Sequence, residues 1–177
     1  MELYLSPNGR IDQPTYWRAV WILFGISCAL SALSAFVSPF LGMLGLLFIW
    51  PWIAVHVKRF HDSGKTGWLT LAIVVLAIIV SFVASAALLG AFGANSIEAQ
   101  LEMQRQIEDA ASSDPSAAIS AAMDATKQMA QAQLLPSILS TAIVTGVVGF
   151  VMGLINKTDP NENQYGPGPG GPSVTFN

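Results

Sequence analysis

The chain has 177 residues, of which 53% are hydrophobic and only 11% charged, against roughly 25% charged in a typical soluble domain. Its 8 Lys and Arg and 11 Asp and Glu leave a net charge of −3, which excludes a basic nucleic-acid binder and a highly charged disordered chain. The single Cys28 excludes a disulfide framework and a four-thiolate zinc site.

Residues 1–17 form a short polar segment before the first apolar run. From 19 to 57 there is no Lys, Arg, Asp or Glu. A crossing of a ~30 Å hydrocarbon core takes about 20 mostly apolar residues, so this run predicts two spans, near 18–38 and 41–57. Ser38-Pro39-Phe40-Leu41-Gly42 supplies the break, because Pro39 cannot continue a helix and Gly42 weakens one. The run is longer than the core of a cleavable signal peptide, and more apolar sequence follows at once, which favours a retained first span. Pro51 predicts a kink within the second span, beside Trp50 and Trp52.

Next comes a charged loop, 58–67, and then a third span near 68–93. Ala72–Val80 is apolar on every face, whereas a soluble helix keeps a polar stripe. The connection 94–133 is rich in Ala, Gln and Met. Asn95 followed by Glu98 reads as a helix start, and Ser112-Ser113-Asp114-Pro115 closes one helix and opens another. A fourth span lies near 134–155. Residues 158–177, Gly- and Pro-rich toward the end, read as a flexible tail. The fold class is therefore an all-α integral membrane protein: four transmembrane helices within 18–157, with a helical extramembrane connection between spans three and four.

Short loops carrying Lys and Arg stay cytoplasmic. Arg10, Arg18, Lys58, Arg59, Lys65 and Lys157 all fall on one side of a four-span chain, against Arg105 and Lys127 on the other. Both termini are expected in the cytoplasm. Tyr16, Trp17, Trp21, Trp50, Trp52 and Trp68 lie near the span ends, as an aromatic belt does.

Few residues invite chemistry. Gly64-Lys65-Thr66 lacks the glycine that a phosphate loop places five positions earlier, where Arg59 stands. His61-Asp62-Ser63 has the residue types of a hydrolytic triad, but adjacent side chains fan apart. His56 and His61 are about 140° apart on a helix and make a poor metal pair; His56 reads as a histidine that hydrogen-bonds locally, with a proton relay as the sharper reading. No catalytic residue, metal or cofactor is expected. Ser27, Ser31, Ser34 and Ser38 share one face of span one, and Gly149 and Gly153 one face of span four. Such small faces are expected to pack helices closely, with serine hydroxyls bonding across the contact.

Three segments together resemble a known family. Gly9-Arg10-Ile11 with Tyr16-Trp17, the run Lys58-Arg59-Phe60-His61-Asp62-Ser63-Gly64-Lys65-Thr66-Gly67-Trp68, and Asn163-Gln164-Tyr165-Gly166-Pro167 resemble the bacterial DUF805 proteins over roughly 9–92 and 144–169. That resemblance implies a small plasma-membrane (inner-membrane) protein of unassigned biochemistry, with no catalytic residues to carry over. The chain differs in having two full-length apolar runs flanking 94–133 where family members commonly have one.

Two functions compete. The first is a non-enzymatic membrane protein whose basic cytoplasmic face, drawn from Arg10, Arg18, Lys58, Arg59, His61, Asp62 and Lys65, engages anionic lipid head groups or a protein partner. The second is a small homo-oligomeric transporter or channel lined by the span-one serines. Within the first, Asp62 is the only acid of its loop and is expected to pair with Arg59 or Arg10.

Overall fold

The computed structural model describes residues 2–92, 96–113 and 115–168. Four helical runs in it are long and apolar enough to cross a membrane: Gln13–Phe36, Pro39–Asp62, Gly67–Phe92 and Leu134–Ile155. The chain is a multi-pass, all-helical membrane protein. In lipid, helices satisfy every backbone group within the segment, so their outer faces can be wholly apolar. Phe40, Leu47 and Phe82 face outward accordingly.

A short helix α1 (Glu2–Leu5) precedes the first span, α2 (Gln13–Phe36). Asp12 caps α2, its carboxylate accepting the Thr15 N–H at 3.0 Å, and Pro14 occupies the first turn, where a missing N–H costs nothing. The second crossing begins as a 3₁₀ segment, Pro39–Phe48, and becomes α-helical in α3 (Ile49–Asp62). This corrects two expectations. The helix does not end at 57 but runs to Asp62, because residues 58–62 continue it and their cations suit its C-terminal end. Nor does Pro51 kink the helix interior. It sits in the first turn of α3, and the irregularity lies before it in the 3₁₀ segment.

A 3₁₀ turn (Gly67–Leu69) leads into α4 (Thr70–Phe92). The connection folds as α5 (Ser96–Ser113) and α6 (Pro115–Ala132), which pack on each other, and α7 (Leu134–Ile155) completes the bundle. Asn95 and Asp114, the expected start and break of these helices, lie outside the described residues. Helix α6 also touches α2, where Gln131 Nε2 donates to the Ala35 carbonyl at 3.1 Å.

Helix α7 packs on α4 and α2. A Cβ on Gly149 would stand 2.5 Å from the Trp17 ring, and one on Gly153 2.9 Å from Gln13 Nε2. Both glycines of span four therefore permit close helix approach, as their spacing suggested. The apolar core gathers toward this end of the bundle, from Tyr16, Val20 and Leu23 of α2, Val55 and Phe60 of α3, and Val148 and Met152 of α7.

Candidate functional site

The start of α2, the end of α3 and the end of α7 meet here, and polar groups concentrate among them. Asp62, the last residue of α3, is completely buried. Arg59, one turn earlier, donates from Nη1 to Asp62 Oδ2. Arg10 donates from Nε to Asp62 Oδ1 at 3.1 Å. Both arginines named from the sequence thus hold the one carboxylate, and their side chains are only 2% and 6% exposed.

Two guanidinium groups against one carboxylate leave positive charge to be balanced. Carbonyl oxygens supply the balance. Arg59 also donates to the Asn156 carbonyl and, at 3.0 Å, to Thr158 Oγ1. Arg10 reaches the carbonyls of Asp159 and, at 2.8 Å, of Asn161. Lys65 Nζ donates to the Ile155 carbonyl. The last carbonyls of a helix have no partner within it and carry its negative dipole end, so these cations cap α7 and fasten the chain beyond it.

The turn after α3 aims Lys65. Gly64 N–H donates to the His61 carbonyl and Lys65 N–H to the Phe60 carbonyl, both at 3.0 Å. This is a Schellman close, and it places Gly64 at φ +70°, a left-handed conformation that glycine adopts freely. Gly67 has another reason to be small: its Cβ would lie 2.7 Å from Val57 Cγ1, so it lets the start of the third crossing pass close to α3.

The N-terminal segment lies along α3. Lys58 Nζ donates to the Glu2 carbonyl at 2.6 Å, and His61 Nδ1–H to the Gly9 carbonyl at 3.1 Å. The other face of His61 carries the tail: the Tyr165 ring stacks on it at 3.7 Å between centroids, nearly parallel. Asn163 Nδ2 donates to the His61 carbonyl at 3.1 Å, while Asn163 and Gly166 close a small turn. Asp159 N–H donates to the Asp62 carbonyl at 3.0 Å. Residues 158–166, expected to be flexible, are therefore docked, because Arg10 and the Asp62 carbonyl satisfy their backbone and His61 holds the Asn163 and Tyr165 side chains; 169–177 lie outside the described residues.

Of the expected face, Arg10, Lys58, Arg59, His61, Asp62 and Lys65 do come together. Their direction is the correction. Arg10, Lys58 and Arg59 point inward, because backbone carbonyls and Asp62 recruit them. Arg18 and Lys157 are the exposed cations at this end, and Lys65 is half-exposed. His61, Asp62 and Ser63 bond in three directions, with Ser63 Oγ donating to Asn156 Oδ1 at 2.9 Å. Sequence reading missed Asn156, Thr158 and Asp159; Asn156 is fully buried, and its only signal was its place at the end of the last uncharged run.

Outside the spans, the hydrogen bond with Thr15 holds the Asp12 carboxyl below its usual range, with burial opposing and the positive charge of Arg59 and Arg18 assisting. His56 is buried between spans. Its Nδ1–H donates to the Trp52 carbonyl at 2.7 Å, which leaves Nε2 to accept from Tyr16 Oη at 3.3 Å. That arrangement fits the neutral ring. Among the described residues, no three His, Cys, Asp or Glu side chains converge as metal ligands do.

The serine face meets the expectation at Ser34, whose Oγ donates across to the Pro39 carbonyl at 3.3 Å, and departs from it at Ser27 and Ser31. Ser27 and Ser31 hydroxyls donate to carbonyls of their own helix, those of Leu23 and Ser27, each at 2.9 Å. Ser27, Ser31 and Ser34 line a cavity of about 340 Å³ with Gly42, Gln133 and Ser137. Ser34 alone makes a close approach, its Oγ 3.0 Å from where a Gly42 Cβ would sit. Ser38 stands at the start of the 3₁₀ segment. A hydroxyl already bonded within its helix has little left to draw a neighbour in.

Arg10, Lys58, Arg59, His61, Asp62, Lys65, Asn163 and Tyr165 all belong to the three motif segments. The family model for DUF805, a protein family of unknown function, matches residues 4–167. The chain belongs to DUF805. The match begins before Arg10, ends after Gly166, and runs through 94–133, so the α5–α6 connection falls within the DUF805 region. No curated protein and no solved structure matches the chain.

Proposed function

We propose that this DUF805 protein is a non-enzymatic component of the bacterial inner (plasma) membrane that engages anionic lipid head groups through its cytoplasmic end. The exposed pair Arg18 and Lys157 carries the reading. They belong to the neighbouring ends of α2 and α7, which Trp17–Gly149 and Gln13–Gly153 hold together. The buried arginines keep the helix ends and the docked tail in place, which fixes the backbone that carries each of these two cations. The excess of Lys and Arg on this side supports cytoplasmic termini. An exposed cation near an anionic membrane surface contributes about 1 kcal/mol.

The test is lipid retention, read by native mass spectrometry from mixed phosphatidylglycerol and phosphatidylcholine bilayers. Phosphatidylglycerol should be enriched on the protein, and Arg18→Gln with Lys157→Gln should cut that enrichment by roughly 30-fold, the equivalent of two such contacts. Equal retention of both lipids, or enrichment that ignores the double substitution, overturns it; a co-purifying protein without lipid preference would assign the face to a partner protein. An alkaline phosphatase fused after Asn177 should be inactive in cells, and an active fusion would overturn the orientation.

A second reading is favoured by the cavity beside the serine face: a small oligomeric transporter for an uncharged solute. Solute flux into liposomes that stops when Ser31→Leu fills that cavity would support it, and absence of flux would remove it.

A further inference from the structure

A separate cavity of about 390 Å³ lies within the bundle, bounded by α3, α4 and α7 and touched by Ser27 of α2. Its size is at the small end of ligand sites, which run from about 300 to 1,000 Å³. Its wall is mainly apolar, from residues such as Trp52, Ile73, Ala77, Val144 and Val148, and none of its lining residues is Asp, Glu, Lys or Arg. Without a counter-charge, a charged group would not enter. Hydroxyl groups and the His56 ring are the exceptions to this apolar character, and one hydroxyl is distinctive. Thr70 belongs to the wall and is 5% exposed, yet its Oγ1 has no hydrogen-bond partner among the described residues. Buried hydroxyls are normally paired.

Depth adds the next constraint. Thr70 opens α4, and Trp68 two residues earlier is 78% exposed, as an aromatic at the membrane interface is. The α4 side of the cavity runs from Thr70 to Ser81, about 16 Å of helix. That is roughly half of a ~30 Å hydrocarbon core, the depth of one leaflet. Both Ile49 and Val74, on α3 and α4, are part of the wall and are exposed on the outer surface, so the cavity communicates with the bilayer between these two helices.

We propose that this cavity holds one acyl chain of a bilayer phospholipid, whose ester carbonyl accepts a hydrogen bond from Thr70 Oγ1. The chain occupies the apolar length beside Ile73 and Ala77. The head group stays outside at the level of Trp68, which is why the wall needs no charge. The site selects a chain and its carbonyl, independently of head-group charge, and so goes beyond the lipid contact assigned to Arg18 and Lys157.

The probe is phosphatidylcholine carrying a diazirine in its acyl chain, added to the full-length protein in phosphatidylcholine vesicles and photolysed. Crosslinks mapped by peptide mass spectrometry should concentrate on Ile73, Ala77 and Val144 over the outward-facing Ile78 and Phe82. Ala77→Phe, which fills the cavity, should remove that excess. Thr70→Val keeps the shape, loses the hydroxyl, and should lower labelling about fivefold, the equivalent of one hydrogen bond; Thr70→Ser should restore it. Equal labelling of Ile78, Phe82 and the wall means boundary lipid only and overturns the site. Wall labelling unchanged in a monodisperse Ala77→Phe protein overturns it as well. If Ala77→Phe does not fold, the Thr70 pair decides: equal labelling by Thr70→Val and wild type overturns the carbonyl contact. Because the lipid is zwitterionic, none of these outcomes depends on the anionic-lipid reading.

Discussion

The two ends of the bundle are built on different principles. At the end where α3 and α7 finish, one buried carboxylate, two arginines and a lysine tie together segments distant in sequence. Toward the other end, a 3₁₀ segment, small side chains and a cavity beside the serine face stand where directional bonds are few. Lipid tails are as apolar as Leu, so helices in a membrane gain no hydrophobic drive to close on one another. Small residues permit contact; they do not compel it. Directional polar partners compel it at the clasped end.

The sharpest way to break the comparison is to remove the carboxylate. Asp62→Ala leaves Arg10 and Arg59 buried without a counter-charge, and loss of one member of a buried pair costs about 3–5 kcal/mol. Thermal unfolding in detergent should show a large drop, with Tyr165 released from His61 and the tail open to protease. A tail that stays protected in this variant would show that the clasp does not hold it. Gly149→Leu comes next: the new side chain would meet the Trp17 ring, and overpacking of this kind costs about 1–3 kcal/mol. Unchanged thermal stability would contradict the close α2–α7 contact.

Asp12→Ala should cost about 1 kcal/mol, the usual worth of an N-cap. Because the Asp12 carboxyl titrates lower when folded than unfolded, its contribution is present above the unfolded value and is lost as pH falls through the folded one. Acid scans of wild type and Asp12→Ala should therefore converge at low pH, and parallel curves would rule out that linkage. The smallest effect belongs to the loose region. Ser31→Ala should change stability by less than about 1 kcal/mol, and Ser31→Leu should also be tolerated because it faces open volume. Ser34→Leu, pressed against Gly42, should destabilise more than Ser31→Leu, and the reverse order would contradict the cavity.

Much of this was legible from residue types alone. Uncharged runs marked the helices able to cross, because an unpaired charge in hydrocarbon is costly, and they located the last of these helices at Leu134–Ile155. Asp62 could be matched with Arg10 and Arg59 because its loop held no other acid. The serine face was legible only in part, at Ser34, because spacing places residues on one side of a helix without saying whether a neighbour meets them.

The sequence by itself determined the medium, the number of crossings and the identity of the central ion pair, since each depends on composition along the chain. Only the tertiary structure decided that Lys58, Arg10 and Arg59 turn inward, that Asn156 is buried and that the tail docks on His61. Those outcomes depend on where the end of α7, the chain beyond it and the N-terminal segment arrive relative to α3. A cation's direction is set by which acceptors surround it in space, and 97 residues separate Arg59 from the Asn156 carbonyl it caps.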